Sequence, residues 1–305
     1  MNKIPSIVVI GSLNIDIVVE ADRPPQMGET VSGSQVHFIP GGKGSNQAVA
    51  AARLGARTAM IGAVGGDPFG TELLQSLQRE GIDTSAVKTV SGTHTGVASI
   101  LLSQGDNQII VVAGANGHCT PADIDRHQEL VRQADAVLLQ LEIPLETVQY
   151  AAQTAKRLGK AVVLNPAPAR PLPDDLLSHV DVLIPNETEL YLLAEADERT
   201  ELVDAMRRLQ DKGVRTIVTT LGAKGAAYLT EDGAFGRVPG HKVDVVDTTG
   251  AGDAFNAGFA FALATGETVP AAVAFAVKVG ALAVTRLGAH AGMPTLAQVQ
   301  EFAAE

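Results

Sequence analysis

Ala136-Val137-Leu138-Leu139 is a short apolar run that ends at Gln140 and Glu142. The amphipathic stretch Leu145–Leu158 follows it and stops at Gly159. A second apolar run, Ala161-Val162-Val163-Leu164, then ends at Asn165. Unbroken apolar runs of this length suit strands buried on both faces, as in parallel sheets covered by helices. The stretch between them has a helical period and a glycine stop. Strand, helix and strand in that order predict a crossover unit and therefore a parallel sheet.

The unit recurs on both sides of this segment. Ile7–Ile10, Thr58–Ile61, Val182–Ile184 and Thr216–Thr219 read as further strands. Gln47–Leu54, Thr71–Glu80 and Leu202–Lys212 read as helices, each followed by glycine. Residues from Ala251 to Thr285 are mostly helical in pattern. The expected fold is α/β: a doubly wound, mostly parallel central sheet with helices on both faces, in a single domain over residues 1–305. Two segments break the alternation. Residues 14–40 contain no convincing helix. Thr95–Ala113 reads as a hairpin: Gly96–Leu102, a turn at Gln104-Gly105-Asp106-Asn107, then Gln108–Val112. The two β pieces, about 14–40 and 95–113, can pair into a small sheet that acts as a lid.

Composition narrows the partners. The chain has 305 residues, is 46% hydrophobic and carries a net charge of −11, with aromatics at 4% and no Trp. It lacks both a basic surface to track phosphates and aromatic platforms for bases, so nucleic acid is not expected. Cys119 is the only cysteine, which excludes an intrachain disulfide and a Cys-based zinc site. Its expected role is a small packed side chain. Ile7–Ile10, the longest apolar run near the N-terminus, is too short for a signal segment or a membrane span. A cytoplasmic protein without a membrane partner is expected.

Ligands of open α/β sheets bind beyond the carboxyl ends of the strands. Here those ends carry polar or glycine residues: Gly11, Asn14 and Asp16; Gln140 and Glu142; Asn165; Asn186; Thr220 and Gly222. Repeated placement describes a rim around one cleft. Asn14 and Asp16 are two apart in an extended segment and share a face. A carboxamide beside a carboxylate suits vicinal hydroxyls, because the acid accepts while the amide donates and accepts.

Two glycine-rich stretches stand out. In Asp247-Thr248-Thr249-Gly250-Ala251-Gly252-Asp253, small residues precede an acid that opens the apolar run from Ala254 to Phe261. If that run is a helix, its first amides lack intrahelical partners and face an anion. Two readings are open. Asp253 caps the helix, or it accepts a proton from a nucleophile while the amides of Gly250, Ala251 and Gly252 hold developing charge. Gly41-Gly42-Lys43-Gly44-Ser45-Asn46 is neither a P-loop nor a dinucleotide fingerprint, since Gln47 occupies the third glycine position of the latter. It reads as a turn with Ser45 or Asn46 as N-cap, or as a backbone-lined small-ligand site. Asn186 and Glu189 approximate a capping box, and the same spacing can aim both at a metal–phosphate group. Thr220-Leu221-Gly222-Ala223-Lys224-Gly225 is a tight turn or a platform for a nucleotide.

Taken in order along the chain, these residues resemble the ribokinase family of sugar kinases, the PfkB-type carbohydrate kinases. Its two signatures resemble Gly41–Ala48 and Asp247–Phe255, and Asn14-Ile15-Asp16, Glu142, Asn165–Ala169 and Asn186–Glu189 match as well. The resemblance implies phosphorylation of the D-ribose 5-hydroxyl by Mg-ATP. It implies that Asn14, Ile15, Asp16, Gly42, Lys43, Gly44, Ser45, Asn46 and Glu142 surround the sugar. It implies Asp253 as base, with Gly250, Ala251 and Gly252 as anion hole. ATP would meet Asn186, Glu189, Thr220, Leu221, Gly222, Ala223, Lys224, Gly225, Gly252 and Val277. Potassium or another monovalent cation would bind oxygens of Asp247, Thr249, Ala283, Arg286, Gly288 and Gly292. A homodimer through the lids is implied too. Val277 stands where family members can carry a His beside the adenine, and Gly292 where a Ser is possible. The alternatives are a sibling kinase acting on deoxyribose, fructose or a nucleoside, and a sugar sensor without turnover. A dehydrogenase is disfavoured by the missing fingerprint.

Overall fold

The computed structural model describes residues 3–104, 106–197 and 199–302. Its strands are β1 (Ser6–Ile10), β2 (Asn14–Glu20), β3 (Gln35–Gly41), β4 (Arg57–Gly65), β5 (Asp83–Val90), β6 (Gly96–Ser103), β7 (Asp106–Val112), β8 (Ala136–Leu139), β9 (Ala161–Leu164), β10 (Val182–Leu183), β11 (Thr216–Thr220), β12 (Ala226–Leu229) and β13 (Phe235–Val238). The helices are α1 (Lys43–Arg53), α2 (Pro68–Arg79), α3 (Pro121–Arg126), α4 (Gln128–Gln133), α5 (Leu145–Arg157), α6 (Asp174–Ser178), α7 (Glu187–Leu193), α8 (Leu202–Asp211), α9 (Ala251–Ala264), α10 (Val269–Ala283), α11 (Ala289–Gly292) and α12 (Leu296–Glu301).

Nine strands form the main sheet in the order β13-β12-β11-β10-β9-β8-β1-β4-β5. The pairs from β11 to β5 are parallel, and β12 and β13 add an antiparallel edge. The expected α/β architecture is present. Strand β1 shows why its sequence is uniformly apolar. Ile7 and Val9 pack into a core shared with α1, α9 and α10, whereas Val8 and Ile10 pack into a second core with α5, α7 and α8. Successive side chains of a strand point to opposite faces, so burial on both faces requires an apolar residue at every position.

The small sheet is also present, in the order β3-β2-β6-β7. Strand β2 pairs antiparallel with β3 and parallel with β6, and β6 pairs antiparallel with β7. Two details differ from the sequence reading. Asp106 and Asn107 belong to β7, opposite Ser103 and Leu102, rather than to the turn; Gly105 lies outside the described residues. Strand β5 had no apolar signature because it is the sheet's edge, with Asp83, Ser85 and Thr89 polar and exposed. Among the described residues no helix is long and apolar enough to cross a membrane. Cys119 is buried, and burial pushes its thiol up to about 12, so it packs as an inert side chain.

Candidate active site

Connections from β1 run one way through β4 to β5, and from β8 the other way through β9 and β10 to β11. The carboxyl ends of β1 and β8 therefore flank the point where the winding reverses, the expected ligand crevice. There Ser12 Oγ donates to Glu142 Oε2 at 2.5 Å, and the amide of Lys43 donates to the same oxygen at 3.1 Å. The amide of Gly44 donates to Ser12 Oγ at 3.3 Å, and that of Ser45 to Ser12 O at 2.9 Å.

Helix α1 begins at Lys43, earlier than expected. Its N-cap is Gly42, not Ser45 or Asn46, and no side chain caps it. Gly42 has φ 89°, and a Cβ there would sit 2.7 Å from the amide nitrogen of Asn14, so both the turn and the close approach require glycine. The start of α1 is thus already filled by Glu142 and Ser12. What it offers the cleft is the Lys43 side chain, with Asn14 and Asp16 entering from β2. Asn14 is oriented by Asn116, whose Nδ2 donates to Asn14 Oδ1 at 2.7 Å and to Leu13 O at 3.1 Å, while its Oδ1 accepts from the Leu13 amide at 2.9 Å. Asn116 lies in a short turn of 3₁₀ helix at Gly114–His118 and carried no periodic signal in the sequence. Asp16 lies against Gly41, where a Cβ would stand 2.4 Å from Asp16 Oδ2.

Asp253 is in the first turn of α9, behind the N-cap Gly250 at φ 77°. Its carboxylate makes no capping bond. Instead Asn46 Nδ2 donates to Oδ2 at 2.9 Å and Gln47 Nε2 to Oδ1 at 3.1 Å. The capping reading is therefore wrong: the side chain turns from its own helix toward α1. Asn46 Oδ1 is buried with no protein partner among the described residues, an acceptor free for a ligand hydroxyl. Of the expected anion-hole amides, that of Ala251 donates to Thr248 O at 3.2 Å. Those of Gly250 and Gly252 have no acceptor among the described residues, nor has that of Asp253, which was not expected there, and a Cβ on Gly252 would meet open space.

The charges in the cleft are uneven. Burial pushes the Asp253 carboxyl above its ordinary value, and Glu142 adds to the rise; Lys43, Asn46 and Gln47 oppose it. Asp16 is pushed up to about 7, by burial first and then by Glu142 and Asp253. Burial alone would depress Lys43, but Asp253, Glu142, Glu189 and Asp16 outweigh it and hold the ammonium more firmly charged. One cation is thus shared among these carboxyls, an arrangement suited to an incoming hydroxylic or cationic group and unsuited to a bare anion.

A cavity of about 530 Å³ opens on the other side of Gly252. Thr220, Gly222, Ala223, Gly225, Gly252 and Val277 line it as expected, together with Thr248 and Ala251. Leu221 and Lys224 do not: the Leu221 amide closes the turn onto Gly225 O at 2.8 Å, and Lys224 is exposed. The sequence reading missed the opposite wall, Gly240, His241, Lys242, Val243 and Val245, a stretch with neither helical nor strand period. The His241 ring lies edge-on to Phe302 at 5.2 Å. Asn186 and Glu189 form the complete capping box of α7, with both reciprocal bonds at 2.8 Å. Burial raises the Glu189 carboxyl above its ordinary value and Asp253 adds to the rise, while the Asn186 amide and Lys43 oppose it.

Behind Gly250, Asp247 Oδ1 accepts from the amide of Thr249 at 2.9 Å and from its Oγ1 at 2.6 Å, and Oδ2 accepts from the Gly288 amide at 2.8 Å. These bonds hold its carboxyl below the ordinary value despite partial burial. Gly292 packs on Ala283, with a Cβ position 2.4 Å from Ala283 O. Arg286 is exposed. Among the described residues no group of three or more His, Cys, Asp or Glu could hold a metal ion.

A buried carboxylate at an open helix start, between a hydroxyl-type cleft and a cavity lined by glycine-rich backbone, is the arrangement of a small-molecule phosphotransferase. The chain belongs to the pfkB family of carbohydrate kinases, whose sequence profile matches residues 4–296. It is 43% identical over 297 residues to a ribokinase of Bacillus subtilis, covering 97% of this chain and 99% of that one. It is 39% identical over 300 residues to a deoxyribokinase of Salmonella typhi, with 97% and 98% covered. Among solved structures it resembles Arabidopsis thaliana ribokinase complexed with ribose and ATP, with a TM-score of 0.93, 35% identity and 99% and 100% coverage.

Proposed function

We propose that this chain is an ATP-dependent ribokinase that phosphorylates D-ribose at O5, releasing ADP. The observation that carries the reading is the Asp253 carboxylate, buried and held by Asn46 and Gln47 next to Gly252, which lines the 530 Å³ cavity. The full-length likeness to ribokinases supports the choice of donor and acceptor. Ribose enters under the lid, with its vicinal hydroxyls on Asn14 and Asp16, further contacts from Lys43 and Glu142, and a hydroxyl on Asn46 Oδ1. The nucleotide of Mg-ATP lies along Thr220–Gly225 and Val277. Transfer is in line: the O5–P bond forms as the bond from the γ-phosphorus to the β,γ-bridging oxygen breaks, and the 5-hydroxyl proton passes to Asp253. The transition state of such reactions is loose, so the protein chiefly positions groups and balances charge. The amides of Gly252 and Asp253 face the charge on the transferring group, and Ala251 joins them on releasing Thr248. Glu189, a buried carboxyl within electrostatic reach of Lys43 and Asp253, would meet the magnesium that arrives with ATP, which supplies positive charge to the phosphates.

A monovalent cation, potassium, fits the loop behind Gly250. An ionised carboxylate at Asp247 and backbone oxygens near Ala283 and Gly292 form a hard-oxygen set, with Thr249, Arg286 and Gly288 contributing from the same loops. When bound, the ion supplies positive charge that orders the segment leading to Gly250. The lids pair two copies, a reading supported by the edge strand β7, whose Ile109–Val112 are exposed on both faces. Residues 1–305 act as one kinase unit with its lid, and use of ATP fits a cytoplasmic location.

A deoxyribokinase is the second reading, favoured by the relative at 39% identity. The Asn14–Asp16 pair argues for ribose: a site built to bond a hydroxyl rejects an analogue lacking it, because buried polar groups stay unpaired. Initial rates of ADP release with ribose, 2-deoxyribose, fructose and a nucleoside decide. The highest kcat/KM is expected for ribose, and a higher value for any other acceptor overturns the assignment.

A further inference from the structure

Gln47 is fully buried, and its carboxamide uses every group it has. Nε2 donates to Asp253 Oδ1 at 3.1 Å and to Asn165 Oδ1 at 3.3 Å, and Oε1 accepts from Gln140 Nε2 at 2.6 Å. Asn165 Nδ2 in turn donates to Ile184 O at 3.1 Å. Gln140 and Asn165 are themselves buried. The chain of bonds runs from the end of β8 through α1 to the ends of β9 and β10.

This chain has a direction. Asn165 spends its NH2 on a carbonyl, so it can only accept from Gln47. Gln140 presents its NH2 to Gln47, while its own Oε1 is buried without a partner among the described residues. A flipped Gln47 amide would set Oε1 against the Asp253 carboxylate and two NH2 groups against each other. The donor that meets Asp253 is therefore imposed by Asn165, which never touches the carboxylate, and Gln140 complements it from the other side. We propose that Gln47 is a positioning residue for phosphoryl transfer, locked by Gln140 and Asn165 so that it fixes the Asp253 carboxylate toward the acceptor hydroxyl. This rests on the reading of Asp253 as the base.

Two consequences separate this role from mere packing. A donated bond favours the ionised carboxylate, so Gln47 offsets part of the burial that would keep Asp253 protonated. Gln47 also reaches no sugar position that Asn14, Asp16 or Lys43 occupies, so its effect falls on kcat and not on KM.

The test is the pH profile of kcat, with ribose KM measured alongside, for Gln47→Glu, Gln47→Met and Gln140→Met. For Gln47→Glu, kcat falls roughly 30-fold or more, KM stays within about threefold, and the acid limb moves up by about one unit as a second carboxyl faces Asp253. Gln47→Met moves the limb in the same direction. Gln140→Met, remote from the sugar, frees the amide to rotate and lowers kcat by roughly three- to tenfold with the limb shifted the same way. If the Gln47 variants do not fold, Gln140→Met decides alone. A folded Gln47→Glu or Gln140→Met with an unshifted limb and kcat within about twofold overturns the proposal. Asp253→Asn, run in parallel, separates the two readings: if it turns over normally the base assignment fails and Gln47 falls with it. If it is inactive while the glutamine variants behave as the parent, only the role of Gln47 is lost.

Discussion

Ser45 Oγ lies 3.0 Å from His290 Nε2, joining the first turn of α1 to the short helix α11 across 245 residues of chain. The other end of α1 grips the same element: Arg53 Nη1 donates to His290 O at 2.6 Å and to Met293 O at 3.0 Å. Arg53 also forms a two-pronged pair with Glu80, at 2.9 and 2.6 Å. Helix α11 in turn backs the loop before α9, since a Cβ on Gly250 would stand 3.0 Å from Ala289 Cβ. Helix α1 and the loop that carries Gly250 thus rest on one brace. Hydrogen bonds from a charged group contribute about 1.5–3 kcal/mol each, less where water reaches them as it does here. Arg53→Ala is expected to cost about 2 kcal/mol of stability and to lower kcat, read from urea midpoints and initial rates. An unchanged midpoint would show the brace to be idle.

Asp253→Asn keeps the shape of the side chain and removes the proton acceptor. Loss of a general base costs typically 10²–10⁴-fold in rate. The new NH2 faces that of Asn46 or Gln47, but ribose binding by calorimetry should persist, because Asn14, Asp16 and Lys43 are untouched. A near-parental kcat would remove Asp253 from the chemistry.

How far the sequence reached into this site depends on the kind of signal. Asp253 was visible because small residues before an acid at a helix start are locally unusual, and the strand ends were visible because apolar runs stop abruptly there. The local pattern could not tell a cap from a base. The arrival of Asn46 and Gln47 from a distant helix removes the cap, and Gln47 had shown in the sequence only within the Gly41–Ala48 signature and as the residue that spoils a dinucleotide motif. Asn116 and the wall from Gly240 to Val245 have no periodicity at all, so their place depends wholly on tertiary packing. Strand β5 was lost for a related reason: an edge strand need not be apolar, and apolarity was the signal.

Asp16 links pH to stability. Its carboxyl titrates at about 7 in the folded protein against an ordinary 3.8. Between those values the folded state holds a proton that the unfolded chain has lost. Stability from this group is therefore fully present below about pH 4 and lost as pH rises through 7. At about 1.4 kcal/mol per unit the change amounts to a few kcal/mol. Asp16→Asn should remove this slope. Denaturation at pH 5 and pH 8 measures it, and a parent-to-variant difference that is the same at both values contradicts the account.

Asp247 and its partners predict a cation requirement with a structural readout. Replacing potassium by tetramethylammonium, too large for a site of carbonyl and carboxylate oxygens, should lower kcat and also lower the melting temperature. Asp247→Asn should make both insensitive to the exchange. If the parent shows equal activity and melting temperature in the two salts, the loop does not bind a monovalent cation.

The lid makes the last prediction. Strand β7 is the free edge of its sheet, and Ile110 is 69% exposed between the similarly exposed Ile109 and Val111. An apolar edge strand open to water pairs readily with another chain unless something covers it. A second lid would cover it with matching chemistry. Ile110→Glu places a charge in that contact without touching Asn14 or Asp16, which lie at the start of β2. Sedimentation velocity should show a dimer for the parent and a monomer for the variant. The monomer should keep kcat while ribose KM rises, because a lid without its partner closes less firmly over the sugar. A parent that sediments as a monomer at micromolar concentration removes the lid dimer.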